Sequence, residues 1–220
     1  MTRGILLAGT ESPLSAAIAA EAAKRVESFA AAFIPNRFSH PGGTGPSALK
    51  GHIPLAWNPG SPISARALAL AAENRMAHID EAVLICVPPG LYRPPEELSS
   101  TDIETLVNDY IKGWFFLSRE LIGRFKARQA GVLTLVLSEP SVRGKDEPVD
   151  VAGGAVAAAF RALAQSLLAA SAGKPYQVLG FSGSGEPASF AAFIFKILEE
   201  GGKRNGGKWH KFGKIGLFGR

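Results

Sequence analysis

The beginning of the chain constrains its fold most, because an apolar run there meets a glycine and then an alanine-rich stretch. Residues 4–9 read Gly-Ile-Leu-Leu-Ala-Gly, and residues 13–30 are rich in alanine. An apolar run of this kind is typical of a parallel β-strand that is covered on both faces. Ser12 is a favourable N-cap, and Pro13 occupies the first helical position, where its missing N–H costs nothing. The segment therefore predicts a buried strand, a tight turn and a helix.

The rest of the chain alternates between apolar strands and helices. We predict further strands at residues 29–34, 53–57, 79–87, 131–137 and 175–181, and a last one around 214–218. Helices are predicted from Ser64 to Ala77, from Ser100 or Thr101 to Lys126, at 152–171 and at 187–200. This alternation predicts a single α/β domain over residues 1–220, with a doubly wound, Rossmann-type parallel sheet between two layers of helices. In such domains the N-terminus of the first helix holds a pyrophosphate.

The composition indicates a folded protein in a reducing compartment. A chain of 220 residues with 46% hydrophobic and 20% charged residues is large enough for one core and unlike a disordered chain. The single cysteine, Cys86, excludes an internal disulfide framework, and its apolar strand indicates a buried structural thiol. No segment reaches about 18 uninterrupted apolar residues, so we expect neither a membrane-spanning helix nor a signal peptide. We therefore expect a cytoplasmic protein.

The positive charge is confined to a basic, glycine-rich segment at residues 201–220. The net charge is +5, and this segment contains six Lys and Arg residues and no acid, so residues 1–200 carry −1. Trp209 and Phe212 are interleaved there with His210 and Lys211. Basic residues interleaved with aromatic ones can bind single-stranded nucleic acid. Because we place the last strand of the sheet here, we favour a structural role and do not expect nucleic acid as a partner.

The order of elements resembles that of the short-chain dehydrogenase/reductase family over roughly residues 4–200. The features in family order are the turn at Gly9, the strand Asp80–Val87, the helix with Tyr110, the strand ending at Ser138 and the helix ending at Gln165-Ser166. The first loop is more similar to the enoyl-acyl-carrier-protein reductase branch, since Ser15-Ala16 follows Gly9 at that branch's spacing. The resemblance implies an NAD(P) cofactor and a homodimer or homotetramer formed through the helices at 102–126 and 152–172.

The cofactor loop departs from the family pattern. The family's second glycine falls at Pro13 and its third at Ser15, and Glu11 adds a negative charge that opposes phosphate. After the second strand, Arg37 stands where an acid would select NAD, so NADP is favoured over NAD if any dinucleotide binds. A plain strand-to-helix turn and an Arg37 on a solvated loop remain open as alternatives. The candidate cofactor-binding residues are Gly9, Thr10, Ser12, Ser15, Arg37 and Gly90.

The catalytic residues of the family are missing. In the family a tyrosine donates a proton, and a lysine four residues later lowers its pKa. Alignment on the helix end at Ser166 places Gly153 at the tyrosine and Ala157 at the lysine. Ser138 aligns with the family's serine and Tyr110 with its asparagine, which makes both vestigial candidates. The four histidines are scattered without metal-ligand spacing, so no metal site is predicted.

Two functions remain open at this stage. The first is a degenerate member of the family, a non-catalytic binding or scaffold protein with at most weak nucleotide binding. The alternative is an NAD(P)H-dependent oxidoreductase with a rebuilt active site that acts on a carbonyl or enoyl substrate. The expected partners are a second copy of the chain and a small molecule or nucleotide.

Overall fold

A computed structural model of the chain describes residues 3–38, 51–139, 149–200 and 206–213. Within these residues seven strands form one sheet, and every pair of neighbouring strands is parallel. The strands are β1 (Ile5–Thr10), β2 (Phe29–Ile34), β3 (His52–Pro54), β4 (Glu81–Cys86), β5 (Val132–Ser138), β6 (Gln177–Gly183) and β7 (Trp209–Phe212). Their order in the sheet is β3-β2-β1-β4-β5-β6-β7.

Helices cover both faces of this sheet. They are α1 (Pro13–Ala23), α2 (Pro62–Met76), α3 (Ser100–Val107), α4 (Gly113–Arg128), α5 (Val151–Ala170) and α6 (Pro187–Glu199). One core contains Ile18 of α1 and Phe195 of α6, and the other contains Leu68 of α2, Trp114 of α4 and Phe160 of α5. The predicted fold class, a doubly wound three-layer α/β/α domain, is confirmed.

The apolar runs of the strands follow from burial on both faces. Successive residues of a strand point to opposite sides of the sheet. Ile5 and Leu7 accordingly lie in the core under α1 and α6, whereas Leu6 and Ala8 lie in the other core. All residues of β1 and β4 are buried. A strand in this position has no polar face, which is why its sequence is apolar throughout.

The order of the strands reverses beside β1. This strand pairs with β2 on one side and with β4 on the other, so the chain is wound in opposite directions from this point. In open α/β sheets, ligands bind outside the carboxyl ends of the strands at such a reversal. The place to look for a site is therefore next to Thr10 at the end of β1 and Cys86 at the end of β4.

Several predicted element boundaries need correction. β3 spans His52–Pro54 rather than residues 53–57, and α1 ends at Ala23 rather than near residue 30. The N-cap of α2 is Ser61, whose Oγ accepts a hydrogen bond from the Ser64 N–H at 3.2 Å. Ser64 lies inside the helix, where it cannot act as the cap. Several serines in one loop give equivalent local signals, and the tertiary path of the chain decides between them.

The long helix predicted from Ser100 to Lys126 is not continuous. It consists of α3, a π-helical turn at Asn108–Lys112, and α4. Its N-cap is Ser99, which forms a capping box with Asp102. Single π-helical turns insert one extra residue into a helix and often occur at functional sites.

The predicted strand around residues 214–218 lies outside the described residues. The strand that completes the sheet is β7, which begins at Trp209 and pairs in parallel with β6. Trp209 Nε1 donates a hydrogen bond to Ser182 Oγ at 3.0 Å. Within the described part of the chain, the basic segment thus contributes a strand to the sheet.

Among the described residues, α5 is the one helix that is long and apolar enough to cross a membrane. Val156, Phe160 and Leu168 of this helix are buried against the sheet. Since these side chains form part of the core, the apolar character of α5 is explained by packing within the domain.

Candidate functional site

Gly9 lies where β1 and β4 approach each other closely. A Cβ atom at this position would lie 2.6 Å from the carbonyl oxygen of Ile85 and 3.0 Å from its Cβ. These distances are shorter than ordinary van der Waals contacts, so a side chain would push the two strands apart. Strand packing alone therefore requires glycine here, whether or not a nucleotide binds.

The hydroxyl groups at the start of α1 are used within the turn itself. Ser12 Oγ accepts a hydrogen bond from the Ser15 N–H at 3.0 Å, and Ser15 Oγ donates to the carbonyl oxygen of Thr10 at 2.6 Å. Thr10 and Ser15 are fully buried. These two predicted cofactor residues would reach a nucleotide only if the turn opened.

Few backbone donors remain at the N-terminus of α1 for an anion. Pro13 has no N–H, and the Ser15 N–H is held by the Ser12 cap. The Glu11 N–H donates to the carbonyl oxygen of Ile34 at 2.8 Å. Among the described residues, this leaves the Leu14 N–H as the first-turn amide available to a ligand. A helix N-terminus binds phosphate through several such amides, so this one is a weak anion site.

Arg37, the predicted partner of a 2′-phosphate, forms an ion pair within the chain. Its Nε lies 3.4 Å from Oδ2 of Asp109, a residue of the π-helical turn. Burial raises the pKa of the Asp109 carboxyl group, and the guanidinium of Arg37 opposes that shift. The Arg37 side chain is still 68% exposed. It can therefore meet a solvent anion, but only in competition with Asp109.

Tyr110 is a core residue. Its side chain is 1% exposed, and its hydroxyl donates a hydrogen bond to Asn36 Oδ1 at 3.0 Å. Burial raises the pKa of the Tyr110 phenol, and the neighbouring carboxylate of Asp109 adds to that rise. A phenol with a raised pKa that is already hydrogen-bonded is a poor proton donor to a substrate. Its evident role is to tie the end of β2 to the π-helical turn.

Ser138 and Gly90 lie together in a small pocket beyond β4 and β5. The pocket has a volume of about 160 Å³ and is lined by Val87, Pro88, Gly90, Tyr92, Ser138, Glu139 and Asp150. Pockets that hold drug-sized ligands are usually about 300 Å³ or larger. The structure thus brings together two of the predicted site residues, while Tyr110 and Arg37 lie elsewhere.

Sequence reasoning missed Tyr92, Glu139 and Asp150 as neighbours of Ser138. Tyr92 follows Gly90 by two residues, and a Cβ atom at Gly90 would lie 3.1 Å from its ring. Glu139 accepts a hydrogen bond from Arg161 at 3.1 Å. The only local signal was Asp150 as a helix N-cap residue.

The position aligned with the family's tyrosine is closed to side chains. A Cβ atom at Gly153 would lie 2.0 Å from Asp150 Oδ2 and 2.7 Å from the carbonyl oxygen of Pro89. The Asp150 carboxylate is fixed there as the N-cap of α5, because it accepts the Gly153 N–H at 2.7 Å. Ala157, aligned with the lysine, is buried in the core.

The remaining reactive groups are placed in the core or apart from one another. Cys86 is fully buried, as its apolar strand predicted, and burial raises the pKa of its thiol. A buried thiol of this kind is inert as a nucleophile. Over residues 3–38, 51–139, 149–200 and 206–213, no three His, Cys, Asp or Glu side chains are grouped so that they could hold a metal ion.

Comparison with known proteins identifies the architecture. No protein-family model and no curated protein matches this sequence. A structure described as a short-chain dehydrogenase/reductase family oxidoreductase from Aeromonas hydrophila has a TM-score of 0.76 at 15% identity, over 96% of this chain and 99% of that one. A short-chain dehydrogenase from Mycobacterium smegmatis has a TM-score of 0.76 at 13% identity, over 97% of this chain and 93% of that one.

A third structure agrees with these two. It is a short-chain dehydrogenase/reductase from Brucella melitensis, described as a glucose/ribitol dehydrogenase, with a TM-score of 0.74 at 16% identity over 96% of this chain and 94% of that one. Identities at this level relate folds, and activity has to be argued from the residues of the site. The chain has the fold of the short-chain dehydrogenase/reductases.

Proposed function

We propose that this chain is a degenerate short-chain-dehydrogenase-like protein with a non-catalytic role in binding or as a scaffold. The observation that supports this most is the packing of Gly153 against Asp150 and Pro89. Hydride transfer to a carbonyl carbon builds negative charge on the oxygen, and an acid must neutralise that charge. Neither Gly153 nor Ala157 can supply a proton or a cation. The family's chemistry therefore has no proton donor at its usual place.

Weak nucleotide binding is a second part of this proposal. The start of α1 offers one free first-turn amide, and Glu11 lies in the same turn with its negative charge. Arg37 can attract a 2′-phosphate only by giving up part of its ion pair with Asp109. Any bound dinucleotide is accordingly NADP rather than NAD, and the affinity is low.

Titration of the purified chain with NADH and NADPH tests this proposal. A ligand that binds only the folded state at about 100 times its Kd raises the free energy of unfolding by about 2.7 kcal/mol, so thermal shift is a sensitive readout. We expect a small shift with NADPH, a smaller one with NADH, and loss of the difference in Arg37→Ala. No turnover is expected with ketones, aldehydes or enoyl thioesters. Robust turnover of either cofactor would overturn the proposal.

One observation favours the alternative, an NAD(P)H-dependent oxidoreductase with a rebuilt site. Tyr92 and Ser138 line the same pocket at the carboxyl ends of β4 and β5. A phenol and a hydroxyl in one pocket could act on a carbonyl or enoyl group as donors of hydrogen bonds and of a proton. If turnover is found, the alternative predicts that Tyr92→Phe and Ser138→Ala abolish it. The core variant Tyr110→Phe should retain it.

A further inference from the structure

A second and larger pocket lies at the carboxyl ends of β6 and β7. Its volume is about 960 Å³, and its lining includes Ser182, Phe193, Lys211 and Phe212. The connection from β6 to α6 consists of residues 184–186 alone, so the space between the strand ends and the helix stays open. This pocket meets the smaller one only at Glu139, and it lies away from the crevice between β1 and β4.

One wall of this pocket is a rigid aromatic surface. Phe212 stacks on Phe190 with ring centroids 5.2 Å apart and planes 9° apart, and it tilts against Phe193 at 5.4 Å. Phe193 in turn meets the buried ring of Phe181 edge-on at 6.2 Å. Phe190 and Phe181 are buried, while Phe193 and Phe212 are partly exposed. An apolar group can therefore contact two fixed rings without any rearrangement of the core.

The two carboxylates of this pocket are already engaged. Glu186 caps α6, and its oxygens accept hydrogen bonds from the Ala188 N–H at 2.9 Å and the Ser189 N–H at 2.6 Å. These backbone hydrogen bonds lower the pKa of Glu186. Glu139 is paired with Arg161 at 3.1 Å. Both negative charges are thus partly compensated by protein groups.

Lys211 is the charge in this pocket that has no such compensation. Its side chain is exposed, and no acidic side chain of the described residues lies within ion-pair distance. Lys211 is the register partner of Ser182, and Phe212 is that of Gly183. Consecutive residues of a strand point to opposite faces. The pocket therefore extends around the end of β7, from an ammonium group on one face to aromatic rings on the other.

We propose that this pocket binds an amphipathic monoanion, a small carboxylate that carries an aromatic or aliphatic group. The apolar group contacts Phe193 and Phe212, and the carboxylate pairs with the Lys211 ammonium. A polyphosphate is disfavoured here, because Glu139 and Glu186 would repel its additional charges. The site is separate from the nucleotide crevice and goes beyond the proposed function.

Trp209 provides a local reporter for this site. Its indole nitrogen is hydrogen-bonded to Ser182, a lining residue, whereas Trp57 and Trp114 pack against each other in the core at 5.5 Å. Titrations with octanoate and with phenylacetate should change tryptophan fluorescence and give measurable heats in calorimetry. The matching uncharged amides should bind about tenfold more weakly, the effect of losing one ion pair of about 1.4 kcal/mol.

Lys211→Met is the decisive variant, since an exposed lysine contributes little to folding. It should abolish the preference for the acid over the amide. Lys208→Met is the matched control, because Lys208 is also exposed in the same segment, and it should retain the preference. Phe212→Ala should weaken acid and amide alike. The proposal fails if neither acid binds at about 10 mM, well below the weakest affinities of specific sites, or if Lys211→Met and Lys208→Met bind equally.

The outcome is independent of the nucleotide titration. NADPH should not compete with octanoate, because the two occupy different ends of the sheet's carboxyl edge. Tight binding of NADPH would contradict the proposed function and leave this site intact. Competition between NADPH and octanoate would instead show one shared site and overturn the assignment.

Discussion

At the scale of single residues, two adjacent glycines of α5 differ in their surroundings. A Cβ atom at Gly153 would collide with Asp150 and with the backbone of Pro89, whereas at Gly154 no heavy atom lies within 4 Å of it. Gly154→Ala should raise the free energy of unfolding by about 1 kcal/mol, because alanine favours the helix. Gly153→Ala should lower it by about 1–3 kcal/mol through overpacking. Urea denaturation of both variants measures the difference.

The same pair tests the argument against a catalytic side chain in this helix. Gly154→Ala controls for helix propensity, which changes equally in both variants. If Gly153→Ala were as stable as Gly154→Ala, the first turn of α5 could accept a side chain. The steric reason for the missing proton donor would then be wrong.

Glu21 on α1 gives a prediction for pH dependence. Its carboxylate lies 2.5 Å from Lys24 Nζ and 2.5 Å from Arg25 Nη1, and these partners lower its pKa, the hydrogen bond to Lys24 most of all. A lowered pKa in the folded state contributes stability above the unfolded pKa, and this is lost as the pH falls. Glu21→Gln should therefore cost about 1 kcal/mol at pH 7 and less at pH 3. Denaturation at the two pH values measures this.

Glu81 provides the comparison with the opposite sign. It is buried at the start of β4 and paired with Arg3, yet burial raises the pKa of its carboxyl group. A raised pKa of an acid means that the folded state loses stability as the pH rises from the unfolded pKa. Glu81→Gln should therefore gain stability relative to the wild type between pH 4 and pH 7. Parallel pH trends in the Glu21 and Glu81 variants would contradict this account.

At the scale of elements, β7 depends on a contact between an indole ring and a glycine. A Cβ atom at Gly180 of β6 would lie 2.3 Å from the ring of Trp209, so the indole lies directly over the neighbouring strand. His210 stacks on Phe181 at 5.1 Å on the other face. Trp209→Ala should lower the free energy of unfolding by about 2 kcal/mol, less than for a fully buried Trp because the ring is partly exposed.

Chemical denaturation compares this variant with Lys208→Ala. Lys208 precedes β7, and its side chain is exposed, so its removal should change the stability by less than about 0.5 kcal/mol. An unchanged stability of Trp209→Ala would mean that β7 is not an integral part of the sheet. The structural role that we assign to the basic segment would then be wrong.

Elements with local causes could be predicted from the sequence. The apolar run before Gly9 and the Ser12 cap with Pro13 identified β1 and α1, because burial on both faces and N-capping leave direct traces in sequence. The extra residue in the π-helical turn left no such trace. It depends on Tyr110 meeting Asn36, which lies far away in the chain.

The candidate site could be predicted only in part, since its geometry depends on distant contacts. Ser138 and Gly90 were identified from element order, and they do share a pocket. The ion pair of Arg37 with Asp109 joins two elements whose relation no local pattern reveals. The closure at Gly153 depends on the carbonyl oxygen of Pro89, and backbone positions of that kind are invisible in a sequence.

At the scale of the whole molecule, an apolar stripe remains on the outer side of α3 and α4. Ile103, Val107 and Phe115 are 49%, 40% and 53% exposed, and their spacing in multiples of four places them on one side of the helical segment. Trp114 and Leu117 point inward to the core. A row of exposed apolar side chains on a folded domain marks an association surface. We therefore predict a homo-oligomer that forms through this stripe.

Phe115→Glu tests this prediction, because an exposed aromatic side chain at an interface centre contributes much of its energy, and a charge there must be desolvated. Sedimentation velocity at micromolar concentration should show the wild type as a dimer or tetramer and Phe115→Glu as a monomer. Ile63→Glu is the matched control, since Ile63 is 78% exposed at the start of α2, outside the stripe, and should leave the oligomer intact. A monomeric wild type, or equal behaviour of the two variants, would exclude the stripe as the interface and leave these apolar side chains without a partner in solution.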